Sequence, residues 1–108
     1  MFLIRAIACS AALAVALLAV PVWAADVDPA AISAATTPAQ HEALAKQYRE
    51  LAGAARSHAK HHRAMASHYP PGKGDQMRAH CEKLVQSFGA QATEYEALAA
   101  EHETAAKK

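Results

Sequence analysis

Cysteine is nearly absent: the 108-residue chain holds two, Cys9 and Cys81. Cys9 falls in an N-terminal stretch that reads as a removable signal, so the rest of the chain carries one thiol and no internal disulfide framework. Outside the cytoplasm a lone cysteine is buried, pairs with another chain or binds a metal. Aromatic residues make up only 6% of the chain, and neither charge dominates, with eleven Lys and Arg against ten Asp and Glu. Nucleic-acid binding draws on a basic excess, so that class of partner is not expected. Fixed-spacing chemistry is missing as well. There is no Cys-x-x-Cys and no haem-attaching Cys-x-x-Cys-His, and His58-Ala59-Lys60-His61-His62 lacks the glutamate that a zinc-protease helix places after its first histidine.

What is present begins with Arg5, a charge-free run from Ala6 to Val20, and then Pro21-Val22-Trp23-Ala24-Ala25. This is the order of a secretory signal peptide. Compact residues at the last and third-last positions, Ala24 and Val22, place cleavage after Ala24, giving a signal over 1–24; one residue later, Trp23 would have to enter a pocket for a small side chain. A retained membrane anchor competes with this reading, but Ala6 to Val22 sits at the short edge of the roughly 17–25 residues that span a bilayer. A lipoprotein signal ending at Cys9 is weaker still, because the apolar run follows the cysteine. The expectation is a periplasmic or secreted protein with no membrane segment after cleavage. Loss of Arg5 leaves ten basic against ten acidic residues. A domain of this size builds a marginal core, which makes self-association an expected source of stability.

Residues 25–36 have no sustained period and read as a flexible leader. Thr37-Pro38-Ala39-Gln40 is a capping box with proline at the first helical position, which starts a helix over 38–69. Pro70-Pro71 ends it by removing donors and pushing each preceding residue out of the helical region. Gly72-Lys73-Gly74 completes a turn over 70–74, and Asp75 is the expected N-cap of a second helix over 75–106, followed by a tail at 107–108. Mostly apolar and aromatic residues recur in steps of three and four: His41, Leu44, Tyr48, Leu51, Ala55, His58, His62, Met65 and Tyr69 on the first helix, and Met77, Cys81, Leu84, Phe88, Gln91, Tyr95, Leu98, His102 and Ala105 on the second. Folded at the prolines, one register pairs 69 with 77, 65 with 81, 58 with 88, 51 with 95 and 44 with 102. The sequence therefore predicts an all-α, antiparallel two-helix hairpin with a coiled-coil-like seam.

Beside that seam runs a column of small residues spaced by seven: Ala45, Ala52, Ala59 and Ala66, facing Val85, Ala92, Ala99 and Ala106. Left bare it would be an apolar patch, and it predicts dimerisation into a four-helix bundle through these eight positions. Charge is segregated between the helices. Residues 38–69 hold five basic and two acidic side chains, residues 75–106 two basic and six acidic, and the Arg49, Arg56 and Arg63 column lies in the heptad position matching Glu82, Glu96 and Glu103.

Of seven histidines, five, His58, His61, His62, His68 and His80, lie in the half of the hairpin next to the turn. In the predicted register His61, His68, His80 and Cys81, with Met65, form an N/S ligand set from two helices, and His58 and His62 could add a chelating pair. Imidazole with thiolate and thioether suits copper, above all Cu(I), and imidazole with thiolate suits zinc. Binding or buffering of copper, with zinc second, is the leading functional expectation. The rival is a structural or interaction module of the cell envelope in which the alanine strip meets a second copy or another envelope protein. A third is acid-driven opening by the clustered imidazoles. Catalysis is not expected: a hairpin encloses no pocket, and Cys81 is placed on the seam, where a thiol is a poor nucleophile.

Overall fold

A computed structural model describes residues 26–108, and the signal-peptide reading of 1–24, with the lipoprotein alternative at Cys9, lies outside them. The described residues form three helices, α1 (Pro29–Ala34), α2 (Pro38–His68) and α3 (Asp75–Ala106), and α2 packs along α3. No helix among them is long and apolar enough to cross a membrane.

The leader is not structureless. Asp28 caps α1, its carboxylate accepting a hydrogen bond from the Ala30 amide at 3.0 Å, with Pro29 pre-set for the first turn. Val27 packs against a cluster made by Ala45, Tyr48, Leu51 and Ala99. A local cap and one apolar contact thus order a segment whose composition shows no period. The capping box at α2 forms as its residues predict: the Gln40 amide donates to Thr37 Oγ1 at 3.3 Å, and Gln40 Oε1 accepts from the Thr36 and Thr37 amides at 2.8 and 3.1 Å.

At the other end Tyr69, before Pro70, takes extended backbone and closes α2. The chain reverses through Gly72, whose φ of 83° lies in the left-handed region open to glycine. Gly74 is close-packed on the proline: a Cβ there would lie 2.5 Å from the Pro70 carbonyl oxygen. Gly74, not Asp75, is the N-cap of α3. Asp75 sits one residue inside the helix, where its carboxylate accepts from the Gly72 amide at 3.0 Å and pairs with Arg78.

On α2, three columns face α3. Leu44, Leu51, Tyr48 and Ala55 are buried, and so is the whole alanine column of Ala45, Ala52, Ala59 and Ala66. On α3, Cys81, Ala92 and Ala99 are buried, and Val85, Phe88, Tyr95 and His102 are half-buried. The seam of α3 thus follows 81, 85, 88, 92, 95, 99 and 102. It is rotated from the expected one, since Met77, Leu84 and Leu98 remain 49%, 40% and 41% exposed and Gln91 is exposed. The alanine strip, expected to meet a second copy, is covered within one chain: Ala52 and Ala99 have no accessible surface. The physical reason is close approach. Small side chains facing each other on both helices let the two backbones approach closely along the strip. The register survives the rotation, because His58 faces Phe88 with ring centroids 4.9 Å apart.

Candidate functional site

The expected ligand set does not assemble within one chain. Cys81 is buried between the helices and Met65 is half-buried, whereas His61, His68 and His80 are exposed. Adjacent helical residues project about 100° apart, so with Cys81 turned toward α2 its neighbour His80 points away. His61 and His68, seven apart, lie on a flank of α2 outside the contact. Among the described residues no three His, Cys, Asp or Glu side chains converge as a cation site. His58 and His62 are half-buried and both stack on Phe88, His62 at 5.6 Å with planes 9° apart, and His62 Nδ1 is buried with no hydrogen-bond partner. Their geometry is that of aromatic packing at the edge of the core.

The hairpin has two unlike edges. One is closed by charge: Arg49 reaches Glu103 at 2.6 Å and Glu96 at 3.5 Å, and Arg56 reaches Glu96 at 2.8 Å. The column matching read from the sequence is realised here by Arg49, Arg56, Glu96 and Glu103. The hydrogen bond from Arg56 holds the Glu96 carboxyl below the usual carboxylate range, with the charges of Arg56 and Arg49 adding to it; the hydrogen bond and charge of Glu103 raise the Arg49 guanidinium further. These groups are solvent-exposed, so the pairs stabilise little. Their consequence is orientation, since they fix which side of the alanine strip faces charge.

The other edge is apolar. In a heptad repeat the column 77, 84, 91 and 98 lies about 150° around α3 from the column 82, 89, 96 and 103. Met77, Leu84 and Leu98 thus project beside the contact on the side away from the ion pairs, next to the α2 column of Leu44, Leu51, His58 and Met65.

A third feature was not singled out by sequence reasoning. At the open end of the hairpin His41, in the first turn of α2, and His102, near the end of α3, meet with Nδ1 atoms 3.1 Å apart. The constant register set His102 opposite Leu44, one helical turn away. Long side chains spanning that offset bring the two imidazoles together. Comparison with protein-family models, with curated proteins and with solved structures finds no match for this chain.

Proposed function

We propose that the protein is a non-catalytic, exported helical hairpin that pairs with a second copy of itself through the apolar edge of α3, forming a four-helix bundle that serves as a structural or interaction module of the cell envelope. The observation that carries this reading is the half-exposed row Met77, Leu84 and Leu98 at heptad spacing. Among the described residues, only the alanines Ala52 and Ala99 lose all accessible surface, and no large side chain is fully buried. A second hairpin would complete the burial that a single one leaves partial.

Charge selects the occupant. The segment of α3 carries six acidic and two basic residues and that of α2 five basic and two acidic, so α3 is suited to the α2 of a second copy laid antiparallel, whereas two α3 helices side by side would repel. The signal-like order of residues 1–25 supports export. Sedimentation of the purified protein tests the pairing. A dimer that becomes a helical monomer in Leu84→Glu with Leu98→Glu is expected; a monomeric wild type at all concentrations rejects the reading. An N-terminus at Ala25 in protein recovered from the cell envelope is expected for export, and an intact Met1 contradicts it.

Buffering of copper or zinc is a second reading, supported by the exposure of His61, His68 and His80 in the turn-proximal half. Cys81 and Met65 lie between the helices and serve it only if the hairpin opens. Competition titration with Cu(I) and Zn(II) tests it, with affinity lost in the His61→Ala, His68→Ala, His80→Ala variant as the expected result and unchanged affinity as the contrary one.

A further inference from the structure

The turn end of the hairpin is closed by covalent chain; the open end is held only by side chains. There the His41 and His102 rings are half-buried, their centroids 5.3 Å apart. His102 also stacks on Tyr48, with centroids 5.6 Å apart and planes inclined by 13°, and Tyr48 stacks on Tyr95. Tyr48 belongs to the cluster with Ala45, Leu51 and Ala99. The His102 ring is thus backed by the core, which limits its freedom beside His41.

Two neutral imidazoles that meet through Nδ1 share one proton: one ring is the Nδ1–H tautomer and donates, and the other accepts through its Nδ1 lone pair. A cation takes the place of that proton when both rings adopt the Nε2–H form. The exchange moves one proton from Nδ1 to Nε2 of the same ring and releases none to solvent.

We infer that His41 and His102 form a two-histidine site for a divalent transition-metal ion of the zinc type, which clamps the open end of the hairpin. Spacing discriminates among coordination geometries. Zinc–nitrogen bonds of about 2.0–2.1 Å at a tetrahedral angle hold two ligand nitrogens about 3.3–3.4 Å apart, a few tenths of an ångström beyond the observed 3.1 Å. A linear, two-coordinate ion with bonds of similar length needs about 4 Å, further from the observed spacing. Bending the lone pairs off the line between the nitrogens takes a ring rotation of about 35°, within the broad χ2 range of histidine. Two protein ligands leave the other positions to water, so the site binds more weakly than a closed zinc site of four ligands. It is separate from the exposed histidines His61, His68 and His80, and does not depend on pairing through α3.

The test is titration of the purified full chain with zinc sulfate, read by thermal unfolding and by imidazole nitrogen NMR. At a free zinc concentration ten times the Kd, Tm rises by about 6–11 °C. His41→Gln and His102→Gln each abolish the rise, and the triple variant His61→Gln, His68→Gln, His80→Gln keeps it. Because loss of a ring contact alone destabilises the open end, the NMR readout is made on the wild type: zinc shifts the Nδ1 resonances of His41 and His102 and leaves both rings protonated at Nε2. A Tm rise that survives His41→Gln, nitrogen shifts confined to His61, His68 and His80, or no rise at all would overturn the assignment. The same measurements on Leu84→Glu with Leu98→Glu separate this result from the state of self-association.

Discussion

Ala52→Leu tests whether the alanine strip lies inside the hairpin or on its surface. Ala52 has no accessible surface and is flanked along the strip by buried Ala45 and Ala59, so a leucine there meets the facing helix and not solvent. Overpacking of a filled contact costs about 1–3 kcal/mol. At about 4–8 °C per kcal/mol for a domain of this size, Tm falls by roughly 4–24 °C. Ala97→Leu makes the same chemical change at an exposed position of α3, where substitutions stay within about 0.5 kcal/mol. Far-UV circular dichroism of both variants, melted at several protein concentrations, measures the difference. Equal melting temperatures for the two, or an Ala52→Leu variant of unchanged Tm that fails to associate, would refute the burial of the strip within one chain.

Glu96→Gln removes a carboxyl that the Arg56 hydrogen bond holds below its usual range. A depressed carboxyl contributes stability above its unfolded value, near pH 4.3, and loses it as the pH falls through its lower folded value. The variant is therefore expected to show a shallower loss of Tm on acidification below that point, and a wild-type profile in an acid melting series would contradict the pair's role. Gly74→Ala is expected to destabilise more than Gly72→Ala, because the first drives a Cβ onto the Pro70 carbonyl and the second strains only one positive φ, by about 1–2 kcal/mol; urea unfolding ranks them. Gly53→Ala and Gly89→Ala, in helices with nothing near the added carbon, are each expected to stabilise by about 0.5–1 kcal/mol in the same assay. Thr37→Ala removes the side-chain acceptor for the Gln40 amide and is expected to cost about 0.5–2 kcal/mol.

Local signals carried most of the architecture. Thr37 to Gln40 and Pro70 to Gly74 set both helix boundaries through caps and missing donors, which depend on neighbouring residues alone. The 58-to-88 register was legible because the turn length fixes it. The facing side of α3 was not. On that helix the column of Cys81, Phe88, Tyr95 and His102 has leucines and Met77 on one flank and Val85, Ala92 and Ala99 on the other, and hydrophobicity alone chooses the leucine flank. Packing chose the alanine flank, because the matching column on α2 is also alanine and the two together allow close approach. That choice depends on a partner surface, which periodicity in one helix does not encode. The candidate ligands diverged for the same reason: turning Cys81 inward sends His80 outward. The His41–His102 pair was hidden because a rigid register puts the two a helical turn apart, and side-chain reach closes the gap.

A photocrosslinking amino acid at position 84 tests the pairing edge most directly. Placed there in the full chain, it is expected to yield a covalent dimer on irradiation of the purified protein, while the same group at exposed positions 90 or 97, on the side of α3 away from both edges, yields monomer. Equal crosslinking at all three positions, or none at 84, would contradict a dimer formed through Met77, Leu84 and Leu98.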